Sequence, residues 1–139
     1  TVTRRRRDPA FRESILRAYE YRCAVCGFSS RVGQVLVGVE AAHIKWHEAG
    51  GPDRFENGVA LCSLHHRLFD RGVFTISPDM CVLVSESATG SATFAHYVLD
   101  FHGRELSPPV RAAYAPEQAY LDWHVAEVFR PPGRVLQAG

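Results

Sequence analysis

Lysine is almost missing from this chain of 139 residues. Lys45 is the one lysine among sixteen basic side chains, and the formal net charge is only +1. A protein that holds duplex phosphates by charge alone carries a clear basic excess. So small a balance implies that any choice of nucleic-acid target lies in another domain of a longer protein. Arginine suits bidentate phosphate contacts, although such a bias equally follows from a host's base composition. No apolar run reaches the roughly 18 residues of a membrane helix, so no span is expected. The arginines Arg4, Arg5, Arg6 and Arg7 are not followed by an apolar segment, so they are not expected to form a secretory signal. Internal repeats and low-complexity tracts are lacking as well. The chain opens on Thr1 rather than Met, which reads as a processed chain or a piece of a longer one.

What is present is an ordinary globular composition, 46% hydrophobic and 22% charged, enough for one domain with a modest core. Against that background the cysteines carry information. Cys23 and Cys26 form a C-x2-C pair, and after thirty-five intervening residues Cys62 and His65 form C-x2-H. Thiolate and imidazole are the ligands zinc prefers, and each pair can grip one edge of a tetrahedral Zn²⁺ site. That reading favours a reduced, cytoplasmic protein over a disulfide-bonded secreted one. His65 is the expected fourth ligand because its spacing repeats the first knuckle; the alternative is His66, in C-x3-H. Cys81, in the apolar stretch Met80-Cys81-Val82-Leu83-Val84, is expected to be a buried free thiol.

The elements around these knuckles follow from pattern. Asp8-Pro9 is an N-cap followed by proline at the first helical position. It opens a basic helix over residues 8–20 with Phe11, Ile15, Leu16 and Tyr19 as its apolar stripe. Val35 to Ile44 reads as a strand, Val59 to Leu61 as a second, and Ser63 to Arg71 as a helix closed by Gly72. A loop over 45–57 carries the turn signal Gly50-Gly51-Pro52-Asp53. Val73–Ile76 and Cys81–Ser85 suggest a hairpin. A helical extension over 91–130 is expected, with Ser91 as a cap, Pro108-Pro109 extended, and a last helix carrying Tyr120, Leu121, His124, Val125 and Val128. The fold class is α+β, with a β, β, α core over about 22–76.

Three further positions give this core a chemical meaning: His43 in Ala41-Ala42-His43-Ile44, Asn57 in Glu56-Asn57-Gly58, and His66 directly after His65. With Leu61-Cys62-Ser63-Leu64-His65-His66-Arg67-Leu68-Phe69-Asp70, they resemble the HNH endonucleases, whose core is the ββα-metal fold stapled here by zinc. The branch is similar to the nuclease domains of type IV restriction enzymes, which cut modified DNA, including phosphorothioate DNA. The resemblance implies a metal-dependent DNA endonuclease of a restriction system that leaves 5′-phosphate and 3′-hydroxyl ends. Its partner is double-stranded DNA, and cutting both strands calls for two copies, hence a homodimer.

By that resemblance His43 is the general base, suited by an imidazole that titrates near neutrality. His66 is a ligand of a catalytic Mg²⁺ or Mn²⁺, with other divalent transition metals also compatible with imidazole. Asn57 orients the loop that holds His43, or touches the metal, or serves as a turn residue. Many HNH enzymes place a metal-binding Asp just before the base, whereas this chain has Ala42. Asp70, four residues from His66 on one helix face, is the candidate second ligand; an ion pair with Arg67 or Arg71 is its alternative role. Glu40 ranks lower, because it lies two residues from Ala42, about 6.6 Å along a strand. Lys45, Arg71 and Arg4 to Arg7 are candidate DNA contacts. The competing functions are a zinc-stapled DNA-binding module without cleavage, which the Ala42 departure favours, and a colicin-like nuclease toxin.

Overall fold

The computed structural model describes residues 8–135. Chain order begins with helix α1 (Pro9–Ala18), the short pair β1 (Arg31–Val32) and β2 (Val35–Leu36), and strand β3 (Val39–His43). It continues with β4 (Gly58–Cys62), α2 (Ser63–Asp70), β5 (Phe74–Ile76), β6 (Val82–Val84), α3 (Ala92–Tyr97) and α4 (Gln118–Glu127). Each pair β1–β2, β3–β4 and β5–β6 is antiparallel, forming three two-stranded sheets. The class is α+β, with β3, β4 and α2 in the expected order.

Helix α1 starts as its sequence dictates. The Asp8 carboxylate accepts from the Ala10 amide at 2.9 Å, satisfying one of the amides a helix start leaves unpaired. Phe11, Ile15, Leu16 and Tyr19 are buried, and the helix packs across β3 and β4. The chain then turns through Glu20 and Tyr21, both with positive φ, and arrives at the first knuckle.

The strand expected over Val35–Ile44 is broken. Gly38 takes φ +86°, a left-handed conformation no strand uses, so β2 ends at Leu36 and β3 begins at Val39. The consequence is a fixed register for β3, from Val39 opposite Cys62 to His43 opposite Gly58. His43 therefore ends its strand beside the start of β4, and Cys62 leads straight into α2. Cys62 is itself the cap of that helix, its sulfur accepting from the His65 amide at 3.4 Å.

The β5–β6 hairpin and α4 close the far side. His124 is fully buried against Phe69, their rings stacked at 3.8 Å. Its Nε2 donates to the Phe69 carbonyl at 2.9 Å and its Nδ1 accepts from the Thr75 hydroxyl at 2.7 Å. The expected extension over 91–130 is mostly irregular. Ser91 does cap a helix, but that helix spans only Ala92–Tyr97, with Tyr97 exposed. On α4, Leu121 and His124 are buried whereas Val125 is exposed. Cys81 is half-buried rather than buried. No helix among the described residues is long and apolar enough to cross a membrane.

Candidate active site and metal centre

Two chemically distinct centres draw on the β3–β4–α2 unit. In the first, Cys23, Cys26, Cys62 and His65 offer one ligand atom each, all within 4.8 Å of one another. His65 turns Nδ1 inward, 3.2 Å from the Cys62 sulfur and 3.6 Å from the Cys23 sulfur. Its Nε2 donates to the Tyr97 carbonyl at 2.7 Å. That outer hydrogen bond selects the tautomer with a lone pair on Nδ1, the arrangement a metal-ligating histidine uses. Hydrogen bonds from Cys26 and Cys62 hold the Cys23 sulfur toward the thiolate. Burial pushes His65 down, but the sulfurs of Cys23 and Cys62 outweigh it and bring its pKa to about 10. The cluster thus favours a positive charge at its centre. A donor set of three sulfurs and one imidazole fits a metal ion, and the rival ligand His66 points elsewhere.

The second centre is a cleft of about 660 Å³, lined by Glu40, His43, Trp46, His47, His66 and Asp70 among others. At one end His43, closing β3, places Nε2 2.8 Å from the Asp53 carboxylate. A carboxylate only accepts, so Nε2 carries the proton and the lone pair sits on Nδ1. The ring stacks on Phe11 at 4.1 Å, nearly parallel. Burial works against ionisation of Asp53, yet the hydrogen bond and charge of His43 hold its carboxyl below the ordinary carboxylate value.

Asn57 is fully buried beneath this pair. Its Oδ1 accepts from the Lys45 amide at 2.8 Å, and its Nδ2 donates to the carbonyls of Lys45 and Pro52, each at 3.0 Å. The side chain therefore ties the residue after Ile44 to the residue before Asp53, fixing both halves of the dyad in one frame. Gly51 makes this possible. A Cβ there would sit 1.8 Å from the Lys45 carbonyl oxygen and 2.9 Å from Asn57 Nδ2.

At the other end His66, on the first turn of α2, lies between two carboxylates. Glu40 Oε1 is 2.7 Å from Nδ1, and Asp70 Oδ2 is 3.3 Å from Nε2. The hydrogen bond to Asp70, opposed by burial and assisted by Glu40, holds the His66 pKa above its ordinary value. Glu40 is nearer than the strand spacing suggested, because its longer side chain crosses from β3 to the start of α2. There it also accepts from the Ser63 hydroxyl at 3.2 Å.

Comparison with known proteins shows what the arrangement resembles. The HNH endonuclease family model matches residues 23–77, from the first cysteine knuckle to just beyond β5. That stretch is similar to the HNH endonucleases. No curated protein matches the chain. Among solved structures, a protein titled "Modification dependent TagI restriction endonuclease" superposes with a TM-score of 0.62 at 23% identity. That match covers 88% of this chain and 38% of that one. The shared feature at this identity is the fold, and the chain spans well under half the length of that relative.

The sequence-expected residues separate into three groups. His43, Asn57, His66 and Asp70 do converge on the cleft or its supporting loop, and Arg71 lines the rim with Arg67. Lys45 is not among the cleft-lining residues; its main chain is what Asn57 holds. Arg4 to Arg7 lie outside the described residues. Two carboxylates, Glu40 lining the cleft and Asp53 behind His43, exceed what the sequence pattern predicts. Glu40 was ranked behind Asp70, and Asp53 read only as part of a turn. For Asp53 the available signal was an acid in the loop that follows the strand ending at His43.

Proposed function

We propose that this HNH domain is a metal-dependent DNA endonuclease that hydrolyses phosphodiester bonds in the restriction of modified or foreign DNA. The observation that carries the reading is the convergence of a carboxylate-paired histidine, His43, and a second histidine flanked by Glu40 and Asp70 on one open cleft. His43 acts as general base. Its Nδ1 takes the proton of the attacking water, while Asp53, accepting from Nε2, orients the ring and stabilises the imidazolium that forms. Asn57 is a positioning residue that holds Lys45 and Pro52, and through them the two members of the dyad.

His66, Glu40 and Asp70 would hold a divalent ion, Mg²⁺ or Mn²⁺. When bound, such an ion supplies positive charge to the phosphate and to the leaving 3′ oxygen. Oxygen donors beside one imidazole suit these ions. Glu40 also supplies the acid that Ala42 lacks, which supports cleavage over DNA binding alone. In the other centre Cys23, Cys26, Cys62 and His65 would hold a structural Zn²⁺ that joins the chain before β1 to the start of α2. Arg67 and Arg71 are placed to meet phosphates, while target recognition and pairing of two copies belong to a larger assembly.

The test is nicking of supercoiled plasmid, unmodified and phosphorothioate-modified, in Mg²⁺ or Mn²⁺, comparing the wild type with His43→Ala and following zinc content in both. Metal-dependent nicking lost in His43→Ala with zinc retained supports the assignment. Binding of DNA by both proteins without cleavage by either refutes it in favour of a non-cutting module.

A further inference from the structure

One histidine of the cleft has no part in the reaction as derived. His47, in the 3-10 turn His47–Ala49, is four residues beyond His43 and buried beside it. The two rings lie 5.6 Å apart at 54°. His47 Nδ1 is 3.9 Å from the same Asp53 oxygen that His43 Nε2 approaches at 2.8 Å. One ligand atom from each of His43, His47 and Asp53 falls within 4.8 Å of the others. In a tetrahedral zinc site with bonds of about 2.0–2.1 Å, neighbouring ligand atoms are about 3.3 Å apart. The two separations to Asp53 bracket that value and the two imidazole nitrogens lie within 4.8 Å of each other, so modest side-chain shifts would bring the three atoms to a common ion.

We propose that His43, His47 and Asp53 form a second zinc site whose occupation switches the nuclease off. Two imidazoles and a carboxylate are a transition-metal donor set, similar to three-ligand zinc sites that keep a fourth position open. Mg²⁺ demands oxygen ligands and gains little here. His43 and His47 both line the cleft, so the fourth position can be reached by water from solvent.

Inhibition follows from the tautomer. In the dyad, Nε2–H donates to Asp53 and the lone pair is on Nδ1. A Zn²⁺ ion on Nε2 takes the lone pair at that nitrogen, and the ring proton, lost from Nε2 to solvent, must be replaced by one on Nδ1 if the ring is to stay neutral. Nδ1 then donates instead of accepting, and the base is gone. The same ion draws Asp53 away from its role as orienter. The inhibitory consequence rests on His43 being the general base; the metal site itself does not.

The experiment titrates the protein, already carrying its first equivalent of zinc, with Zn²⁺ under equilibrium dialysis. In parallel it measures plasmid nicking at fixed Mg²⁺, with each protein referred to its own rate without added zinc. The wild type is expected to bind a second equivalent and to lose at least tenfold of its nicking as that site fills. His47→Gln, checked for an unchanged first equivalent and helical signal, is expected to lose the second equivalent and the inhibition together. A wild type that binds no second equivalent overturns the proposal without need of a variant. So does a second equivalent retained by His47→Gln, which would put the ion at His66. Inhibition that survives loss of the second equivalent also overturns it. If neither protein nicks DNA in Mg²⁺, the nuclease reading fails, and the dialysis result still decides the site.

Discussion

Asp53→Asn removes one charge and almost no volume from the dyad. The wild-type contact is a 2.8 Å hydrogen bond from His43 Nε2 to a carboxylate, and both side chains are less than a fifth exposed. A hydrogen bond to a charged partner contributes about 1.5–3 kcal/mol net, against about 1 kcal/mol for a neutral pair. In the proposed mechanism the difference grows in the transition state, where His43 becomes an imidazolium facing Asp53. About 2–3 kcal/mol of lost stabilisation corresponds to a fall of roughly 30- to 150-fold in the rate of the chemical step. If the new amide turns its NH₂ group toward Nε2, the ring proton is forced onto Nδ1 and the fall is larger.

The assay is single-turnover nicking at saturating protein and Mg²⁺, with zinc content and thermal midpoint measured on the same samples. The rate should fall while zinc content stays unchanged. Stability supplies a second readout with a defined sign. Asp53 has a folded pKa below its ordinary 3.8, so its contribution is present above that value and lost as pH falls through the folded one. The gap in thermal midpoint between wild type and Asp53→Asn should therefore be open at pH 7 and close in strong acid. A variant that nicks within twofold of wild type with full zinc content would refute the dyad.

Further outcomes follow from the same geometry. Glu40→Gln leaves His66 with a weaker partner and removes a candidate ligand. The Mg²⁺ concentration for half-maximal nicking should rise about tenfold or more. Because a proton and a metal ion compete for the His66 ring, whose pKa is raised, the Mg²⁺ required by the wild type should fall as pH rises. Gly51→Ala drives a methyl group into the Lys45 carbonyl and the Asn57 amide. It should cut nicking by more than tenfold and lower the thermal midpoint by several degrees, read by calorimetry. His124 is pushed down to about 4 by burial. It therefore stabilises the fold above its unfolded value of 6.5 and loses that contribution as pH falls toward 4. About 2.5 units at 1.36 kcal/mol each is about 3 kcal/mol. Urea unfolding at pH 7 and pH 4 should show a loss smaller by that amount in His124→Gln than in wild type.

The sequence by itself determined the candidate metal-ligand cluster and the ββα order. Ligand chemistry restricts Cys23, Cys26, Cys62 and His65 to one kind of site wherever the chain runs. The cap Asp8-Pro9, the apolar stripe of α1 and the closure of α2 before Gly72 are local signals that depend on the nearest few residues. His43, Asn57 and His66 were legible as a constellation because the residues around them resemble a known family motif.

Tertiary structure alone decided what surrounds them. Nothing local sends Asp53 back to His43, since that contact needs a loop folded around the buried Asn57 amide. Strand spacing set Glu40 apart from the site, but the reach of its side chain from β3 to α2 brings it to His66. The continuous strand expected over Val35–Ile44 failed because one glycine with positive φ outweighs a run of β-branched residues. The pairing of His47 with the dyad depends on a single 3-10 turn. Backbone closure across the loop, rather than residue type, placed these groups together, and closure is a property of the whole chain.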